Sequence, residues 1–467
     1  MRAGVGRVIP LTLGEVAAAV GGQLVHGDPG TLVTGTVEYD SRAVTPGGLF
    51  VAFLGEKVDG HDFAPAALAA GAVAVLGGRA LDGVPGIVVD EPLAAMAGLA
   101  RAVVDRLPGL TVIGLTGSSG KTTTKDLVAQ VVAASGPTVA PVGTFNNELG
   151  LPHTALRADA ATRYLVLEMG ARGIGHVRYL CAIAPPRIGV VLNVGVAHIG
   201  EFGSVERIAL AKRELVEALP ERGLAILNAD DPRVAAMASA TAARVVLVGE
   251  AAAAQVRAVD VRLDERGRPG YTLVTPEGSA PVRLALTGRH QVGNTLAAAA
   301  VGRELGVPVA DLADRLDRLR LVSTRRMDVF DRADSVTVID DSYNANPAST
   351  SAALRAQAAL GEDRRRVAVL GYMAELGGYE REGHEEVGRL AASLGVDLLV
   401  VVGDNAAPIR DGAAAVASWG GKSVRVTDQE QAVALLRGEL RPGDVVLVKG
   451  SRYRTWEIAD ALREPPA

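Results

Sequence analysis

The stretch T-G-S-S-G-K-T-T at residues 116–123 decides how the middle of this chain folds. It follows the apolar, β-branched run 111–115 and leads into the helical pattern 126–132. A strand, a glycine-rich loop and a helix N-terminus in this order direct backbone N–H groups and the helix dipole at a phosphate. Lys121 is expected to reach the β- and γ-phosphate oxygens, and Thr122 to offer its hydroxyl to Mg²⁺. The stretch therefore predicts a nucleoside triphosphate site.

The phosphate-loop motif is incomplete. The full Walker pattern has a glycine where Leu115 stands, so G-x-x-G-K-T is the part that is present. The alternative interpretation is a Gly/Ser turn that joins a strand to a helix. The strand before the loop and the helix after it favour phosphate binding. The candidate nucleotide-binding residues of the loop are Gly117, Ser118, Ser119, Gly120, Lys121, Thr122 and Thr123.

Composition restricts the class of protein. A chain of 467 residues, 48% of them hydrophobic, is too long for one compact domain. A net charge of -5 with both signs interspersed provides neither a basic surface for nucleic acid nor a polybasic run for membranes. The single Cys181 excludes an internal disulfide framework and a cysteine metal cluster, which indicates a reducing compartment. We expect a cytoplasmic protein, without membrane insertion, that acts on small or nucleotide-linked molecules.

The pattern of strands and helices divides the chain into three α/β units. Short strands alternate with alanine-rich helices in a first domain, 1–90. Buried-type strands with intervening helices predict a mostly parallel sheet in a central domain, 91–320, followed by hairpins at 256–286. Strands and amphipathic helices then alternate in 321–467, which predicts a doubly wound, Rossmann-like third domain. The expected fold class is α/β with three domains.

Polar residues follow two strands of the predicted central sheet. Glu168 comes directly after the strand 164–167, and His198 follows the next strand. The carboxyl ends of parallel strands face the crevice where ligands bind, so Glu168 could hold Mg²⁺ and His198 could contact a metal or phosphate. Each is also common as an ordinary structural or solvated side chain. Both are candidate site residues.

Lys212 lies within the apolar face of a predicted helix, 204–219. The other residues on this stripe recur at three- and four-residue spacings; they are Val205, Ile208, Leu215, Val216 and Leu219. A buried ammonium is costly, so this lysine snorkels, pairs with an acid or loses its charge by modification. The residue pattern by itself favours snorkelling. Carbamylation by CO₂ would instead create an anionic group able to hold a cation.

Three further stretches carry polar residues near predicted domain junctions. Asn294 starts a helical stretch, where it could face a ligand or cap the helix. Arg326 begins the third unit and could bridge domains by reaching a phosphate. The strand 336–339 closes with D-D-S-Y-N-A-N-P, where an acid can accept from ribose hydroxyls and Asn346 before proline is typical of a helix start.

Taken together, these stretches resemble the Mur ligase family of ATP-dependent amide-forming ligases. The ordered series spans nearly the whole chain: the phosphate loop, then F-N-N-E-L-G-L-P, L-E-M-G, N-V-G-V-A-H-I-G-E-F-G-S, A-K-R-E-L, G-R-H-Q-V-G-N, D-D-S-Y-N-A-N-P, M-A-E-L-G and V-K-G-S-R. The resemblance implies a first domain that holds a UDP-linked substrate, a central ATP-binding domain and a third domain that closes over both.

Within the family, the last three of these motifs and the N-terminal D-S-R and D-G-H-D-F stretches resemble enzymes of peptidoglycan precursor synthesis. Those enzymes join D-alanyl-D-alanine to a UDP-N-acetylmuramoyl tripeptide through an acyl phosphate. The resemblance implies ATP, Mg²⁺, small-molecule substrates and a monomer. One alternative is a relative that adds a single amino acid to a muramyl peptide or glutamate to folate. Another is a nucleotide-binding protein that no longer catalyses.

The resemblance also implies residue roles. Lys121 and Thr122 would handle the phosphates with Mg²⁺, Glu168 and His198 would support the metals, and Lys212 matches the lysine that is carbamylated in relatives. Asn294 would lie at the adenine, Arg326 at the phosphates and Asp341 at the ribose. The catalytic residues it implies are Lys121, Lys212, His198, Asn147 and Arg326. The residues it implies at the substrate are Asn146 and Asn147 near the reacting groups, and Ser41 and Arg42 at the uridine nucleotide.

Three departures from the family pattern lie in or beside the third domain. Tyr372 stands where the family usually has aspartate, Arg325 replaces a common glycine, and 453–456 replaces small residues after K-G-S-R. These positions leave the details of domain closure and acceptor binding open, and they leave the ATP site intact.

Overall fold

The chain forms four β-sheets in a computed structural model, which describes residues 7–361 and 363–464. A sheet of two strands and one of five lie in the N-terminal region, one of nine strands lies in the middle and one of six lies near the C-terminus. Helices connect most of the parallel strands. The predicted α/β fold with several parallel-sheet domains is therefore confirmed.

The N-terminal region is a small mixed sheet with helices beside it. Its elements are β1 (Leu11–Thr12), α1 (Leu13–Val20), β2 (Gln23–Val25), β3 (Leu32–Val33), β4 (Val37–Glu38), β5 (Gly48–Val51), a 3₁₀ helix (Gly60–Phe63), α2 (Ala64–Ala69), β6 (Ala72–Gly77), β7 (Gly86–Val88) and α3 (Pro92–Asp105). The five-stranded order is β2-β7-β6-β5-β4, with β2 antiparallel to its neighbour, and β1 pairs with β3. Thr12 and Glu15 form a capping box that starts α1.

The central region is built on the nine-stranded sheet. Its strands are β8 (Thr111–Thr116), β9 (Thr138–Val139), β10 (Tyr164–Glu168), β11 (Ile188–Val191), β12 (Leu224–Asn228), β13 (Arg244–Gly249), β14 (Val256–Leu263), β15 (Pro269–Thr275) and β16 (Gly278–Arg283). Its helices are α4 (Lys121–Ala133), α5 (Gly150–Ala155), α6 (His176–Ile183), α7 (Ile199–Phe202), α8 (Val205–Glu217), α9 (Pro232–Ala235), the 3₁₀ helix Ala236–Ala240, α10 (Gln291–Glu304) and α11 (Val309–Asp317).

The strand order of the central sheet is β16-β15-β14-β13-β12-β11-β8-β10-β9. In this order, the strands from β14 to β9 run parallel to one another. Strands β14, β15 and β16 form an antiparallel meander, which agrees with the hairpins expected at 256–286. Strand β8 lies between β10 and β11, and its residues are apolar on both faces because helices cover both. The phosphate-loop motif therefore leaves the sheet near its middle, beside the ends of β10 and β11.

The C-terminal region is a six-stranded, mostly parallel sheet. Its elements are β17 (Asp328–Asp331), β18 (Thr337–Asp340), α12 (Pro347–Leu360), β19 (Arg366–Gly371), the 3₁₀ helix Gly377–Tyr379, α13 (Glu380–Ser393), β20 (Leu398–Val402), the 3₁₀ helix Asp404–Ala406, α14 (Pro408–Ala414), β21 (Lys422–Val426), α15 (Gln429–Glu439), β22 (Val445–Lys449) and α16 (Trp456–Arg463). The order is β17-β18-β22-β19-β20-β21, with the edge strand β17 antiparallel.

Helix starts differ slightly from the sequence-based predictions. Ser204 caps α8, since its hydroxyl accepts from the backbone N–H of Arg207, and Asn346 caps α12 with proline next to it. Asn294 lies inside α10, which begins at Gln291, so the alternative interpretation of Asn294 as a cap is wrong. Its side chain is instead available to take part in the site.

The N-terminal and central regions share a core. Helix α3 packs against both α1 and α5, and one cluster of buried apolar side chains runs from the first region to the central sheet. At the same junction, His153 on α5 lies 2.7 Å from the Glu38 carboxylate of β4, and both side chains are buried. The first region is thus held to the central sheet by apolar packing and by a buried contact between a histidine and a carboxylate.

The central and C-terminal regions meet at the carboxyl ends of their parallel strands. The N–H of Gly200 in α7 donates to the carbonyl of Glu375 at 3.0 Å. A Cβ on Gly200 would lie 2.5 Å from the backbone nitrogen of Gly377, so the two chain segments touch backbone to backbone. Among the described residues, no helix combines the length and the apolar character needed to cross a membrane.

Candidate active site

A cleft of about 930 Å³ separates the central region from the C-terminal region. Its walls are the phosphate loop and the ends of β10 and β11 on one side, and the ends of β18 and β22 on the other. Most of the site residues expected from the sequence line it: Ser118, Ser119, Gly120, Lys121, Thr122, Thr123, Asn146, Asn147, Glu168, His198, Asn294, Arg326 and Asp341. The expected residues that are not part of its lining are Gly117, Lys212, Ser41 and Arg42.

The phosphate loop is held in shape by its own residues and by Asn193 at the end of β11. The Asn193 Oδ1 accepts from the backbone N–H groups of Ser118 and Ser119, at 3.0 and 2.9 Å. The Lys121 ammonium donates to the Gly117 carbonyl at 2.9 Å, which bends the lysine back over the loop. Loss of water lowers the pKa of Lys121, and the negative charge of Glu168 partly opposes this. An incoming phosphate would supply the anionic partner that this ammonium lacks.

Gly120 ends the loop in the left-handed conformation, with φ 81°. A Cβ there would lie 2.8 Å from the Oδ1 of Asn294, and this φ disfavours side chains. We therefore expect Gly120→Ala to weaken ATP binding by about tenfold or more through displacement of the loop amides. Calorimetric titration with a non-hydrolysable ATP analogue measures the effect. Gly109→Ala is the control, because a Cβ there meets no atom within 4 Å; equal affinity in the two variants would contradict the prediction.

The buried carboxylate of Glu168 organises the floor of the cleft. Its Oε2 accepts from the Thr122 hydroxyl at 2.8 Å, and its Oε1 accepts from the Asn146 amide at 2.6 Å. The Arg326 guanidinium donates to the hydroxyls of Thr122 and Thr144, at 3.2 and 3.1 Å. Hydroxyl, carboxylate and cation thus converge where the phosphate loop opens. Thr144 was not predicted, because a threonine in a loop carries no distinguishing sequence signal.

These donors fit Mg²⁺ better than a metal that needs an all-protein cage. Within residues 7–361 and 363–464, no group of three or more His, Cys, Asp or Glu side chains is placed to hold an ion. A single carboxylate with a hydroxyl, completed by substrate phosphates and water, is the usual environment of Mg²⁺ at a nucleotide. Asn147 lines the same wall, and its Oδ1 accepts from the Gly150 N–H at 2.8 Å at the start of α5.

His198 joins the two walls of the cleft. It has φ 61°, and its Nδ1 lies next to the carboxylate of Glu375 of the C-terminal region. Glu375 also pairs with Arg452 at 2.8 Å. Burial lowers the pKa of His198, and the Glu375 carboxylate opposes this. The sequence indicated His198 but not its partners, since their proximity depends on how two separate sheets meet.

Lys212 is buried in the packed face of α8, with 5% of its surface exposed. The side chain is therefore mostly removed from water, which disfavours a lysine that snorkels into bulk solvent. It makes no hydrogen bond or ion pair with any residue in the described ranges. Desolvation lowers the pKa of Lys212 well below its ordinary value, and the positive charge of Lys121 lowers it further. The side chain is accordingly suited to exist as a neutral amine.

The C-terminal wall presents a second set of charges. The Asp341 Oδ1 accepts from the Met327 N–H at 3.1 Å, and its Oδ2 accepts from the Lys449 ammonium at 2.5 Å. The Arg326 guanidinium lies over the Tyr343 ring, 4.1 Å from its centroid. Lys449 lies in the V-K-G-S-R stretch but was not predicted as a site residue. Its burial on β22 next to the acid became apparent from the pairing of β18 with β22.

Asn294 contacts the phosphate helix from the opposite side of the loop. Its Oδ1 accepts from the Thr124 hydroxyl at 3.1 Å, and its amide donates to Gln291 at 2.9 Å. Across the cleft, the Asn346 amide donates to the Ser119 hydroxyl at 3.3 Å. The start of α12 therefore touches the phosphate loop directly, so the helix-capping residue also joins the two regions.

Ser41 and Arg42 lie apart from this cleft, on the turn that follows β4. The Arg42 side chain is 87% exposed and pairs with Asp40 at 2.7 Å. Hydrogen bonds from Arg42 lower the pKa of Asp40 to about 2. The structure thus separates these residues from the phosphate loop, as a separate substrate-binding domain would require.

The departures from the family pattern contact one another in pairs. Arg325 has φ 60°, a conformation that favours glycine and so explains why glycine is common there. Its guanidinium bonds to Asp460 at 2.9 Å and lies 5.3 Å from the Trp456 ring. Tyr372 and Tyr453 face each other, with ring centroids 6.3 Å apart. Arg325 and Trp456 therefore contact each other in this chain, and so do the two tyrosines.

A strand, phosphate loop and helix that face a Rossmann-like domain across one cleft define the class of this protein. Models of the Mur ligase middle domain, of the Mur ligase glutamate ligase domain and of the Mur ligase family catalytic domain match residues 115–302, 325–452 and 34–104. The chain belongs to the Mur ligase family.

Its similarity to particular relatives extends over nearly the full length. It is 49% identical to the UDP-N-acetylmuramoyl-tripeptide--D-alanyl-D-alanine ligase of Mycobacterium tuberculosis strain H37Rv, over 97% of this chain and 98% of that protein. The Escherichia coli K12 ligase of the same name is 35% identical, over 98% of this chain and 99% of that protein. The crystal structure of MurF from Acinetobacter baumannii superposes with a TM-score of 0.88 at 31% identity, covering 98% and 100%. MurF from Thermotoga maritima in complex with ADP gives 0.79 at 30% identity, covering 91% and 96%.

Proposed function

We propose that this chain is an ATP-dependent ligase that joins D-alanyl-D-alanine to a UDP-N-acetylmuramoyl tripeptide in peptidoglycan precursor synthesis. The observation that carries the proposal is the cleft in which Lys121, Glu168 and Arg326 converge opposite Asp341. Full-length identity to relatives that bear this activity in their names supports it. The chemistry of the cleft, cations and loop amides around one opening, suits an anion of high charge.

In this proposal ATP lies along the cleft with its phosphates on the loop. The loop residues from Gly117 to Thr123 bind the phosphates through backbone N–H groups, and the ADP complex of the Thermotoga maritima relative supports a nucleotide here. Lys121 and Arg326 neutralise the γ-phosphate, Asn294 lies at the adenine and Asp341 accepts from the ribose. The side chains of Lys121, Arg326, Asn294 and Asp341 all line the cleft.

Mg²⁺ fits the donor set at the mouth of the loop. Thr122 and Glu168 would hold one ion, and His198 with a carbamylated Lys212 would support a second. When bound, the ions would neutralise the triphosphate and polarise its γ-phosphoryl group. The neutral, desolvated amine of Lys212 is the form that reacts with CO₂, since R–NH₂ and CO₂ give R–NH–COO⁻ and a proton.

The proposed reaction consists of two displacement steps in this cleft. The terminal carboxylate of the tripeptide attacks the γ-phosphorus, which releases ADP and leaves an acyl phosphate. The amine of D-alanyl-D-alanine attacks the acyl carbon, and phosphate leaves as the amide bond forms. Asn146 and Asn147 position the reacting groups, while Lys121 and Arg326 stabilise the developing charge on the phosphoryl oxygens.

The remaining expectations complete the proposal. The domains are 1–90 for the UDP-linked substrate, with Ser41 and Arg42 at the uridine nucleotide, 91–320 for ATP and 321–467 as the Rossmann-like lid. The chain acts in the cytoplasm as a monomer on small molecules, without nucleic acid, and supports cell-wall growth, cell shape and division. Interspersed charge and cysteine content support these points.

The test is mass analysis of the product formed with ATP, D-alanyl-D-alanine and UDP-N-acetylmuramoyl tripeptides that end in diaminopimelate or lysine. We expect one new amide bond with release of one phosphate, dependent on all three substrates. A parallel panel of free amino acids and glutamate tests the alternative ligases. Ligation of a free amino acid without ligation of D-alanyl-D-alanine would reject the proposal, and ATP binding without turnover would favour a protein that no longer catalyses.

A further inference from the structure

The connection between the central and C-terminal regions, residues 318–327, follows the surface of the phosphate-loop helix α4. It contains no helix or strand between α11 and β17. Three polar residues of α4 at four-residue spacing form one stripe that faces this connection. They are Thr122, Asp126 and Gln130, and they contact Arg326, Ser323 and Arg320 respectively.

The two outer contacts of this stripe differ in kind. At the far end, the Gln130 side chain donates to the Arg320 carbonyl at 2.9 Å and accepts from the Arg320 N–H at 3.1 Å, which fixes the backbone. At the loop end, the Arg326 side chain reaches the hydroxyls of Thr122 and Thr144. The contact of Asp126 with Ser323 lies between these two along the connection.

That middle contact is a buried network. The Asp126 Oδ2 accepts from the Ser323 N–H at 3.0 Å, while its Oδ1 lies 2.6 Å from the Lys125 ammonium. The Ser323 hydroxyl accepts from the Gly143 N–H at 3.0 Å, and Lys125 donates to the Gly143 carbonyl at 3.2 Å. Lys125, Asp126 and Ser323 are all buried. The network thus joins α4, the connection and the segment that carries Thr144.

The backbone of the connection is also held at its two ends, by Gln130 at Arg320 and by Asp341 at Met327, and the contact of Asp126 with Ser323 lies between them. Arg325 and Met327, on either side of Arg326, both have positive φ, at 60° and 57°. Non-glycine residues keep this conformation when surrounding contacts hold it. We propose that Asp126, acting through Ser323, is a positioning residue that holds Arg326 at the phosphate site. The inference rests on the role proposed above for Arg326.

The test uses Asp126→Asn in the full-length enzyme. An amide has one acceptor oxygen in place of two, so the substituted side chain cannot accept from both Ser323 and Lys125. We expect kcat to fall about tenfold, because the Arg326 guanidinium would no longer be held at the phosphate site. The KM of D-alanyl-D-alanine should stay unchanged. The amide of Ser323 should also exchange its hydrogen faster in the free protein. In an Arg326→Ala background, the same substitution should change kcat by less than about twofold, since coupled residues are not additive.

The matched control is Asp444→Asn. Asp444 is also buried and accepts from a backbone N–H and from an arginine, but neither it nor these partners lie on α4, on the connection or in the lining of the cleft. Unchanged kcat in this control, with a tenfold loss in Asp126→Asn, supports the inference. Additive effects of Asp126→Asn and Arg326→Ala would overturn it. Wild-type turnover of Arg326→Ala would also overturn it, while product formation in that assay would leave the proposed ligase function standing.

Discussion

Lys121→Ala is expected to lower kcat/KM for ATP by about 10³-fold or more. The ammonium lies within the phosphate loop, bonded to the Gly117 carbonyl at 2.9 Å, and its pKa is lowered by loss of water. A methyl group there removes the cation proposed for the γ-phosphate and leaves the loop without its internal donor. Steady-state phosphate release with saturating peptide substrates measures the loss.

Lys422→Ala provides the control for that experiment. Lys422 has a side chain that is 64% exposed and pairs with Glu439 at 3.2 Å, far from the cleft. Its replacement should leave turnover within about twofold, because exposed ion pairs contribute little. Turnover of Lys121→Ala equal to that of Lys422→Ala would contradict the assignment of the phosphate loop. Unfolding curves of both variants check that each remains folded.

Lys212→Met is expected to stabilise the free protein and to abolish turnover. Methionine fills a similar volume without a buried amine that lacks a partner, and removing such a polar group is worth about 1–3 kcal/mol. The same change removes the amine that carbamylation needs, so kcat should fall by about 10³-fold. Urea unfolding gives the stability, and a carbamate resonance with ¹³C-bicarbonate should appear in the wild type and be missing in the variant.

The pH dependence of stability offers a second readout for Lys212. Its pKa is lower in the folded protein than in the unfolded chain, chiefly through desolvation. Between those two values the unfolded chain binds a proton that the folded chain does not, so this group makes stability rise with pH in that window. Lys212→Met should flatten that rise, whereas Lys422→Met should not. If stability rises with pH as steeply in Lys212→Met as in the wild type, the buried amine is not the cause of that rise.

Local sequence patterns predicted those parts of the molecule that depend on neighbours along the chain. The phosphate loop, the buried face of α8 and the strand-end position of Glu168 all follow from periodicity and from the rule that ligands bind at the carboxyl ends of parallel strands. The start of α12 at Asn346 followed from capping chemistry. These features depend on short stretches of sequence.

Contacts between regions could not be read in the same way. Two such contacts join residues that are far apart in the sequence. His198 contacts Glu375, and Lys449 forms a hydrogen bond with Asp341. They depend on the strand order β18-β22 and on the angle between two sheets. Lys212 illustrates the same limit, since an apolar stripe indicates which face is buried but not how deeply a long side chain lies within it.

The backbone contact between Gly200 and Gly377 limits the size of the residues that can stand where the central and C-terminal regions meet. A methyl group on Gly200 would lie 2.5 Å from the Gly377 nitrogen, and one on Gly377 would lie 2.5 Å from the Gly200 Cα. We expect any larger residue at either place to push the central and C-terminal regions apart at this junction. The close approach of the two regions at this junction therefore depends on two positions that carry no side chain.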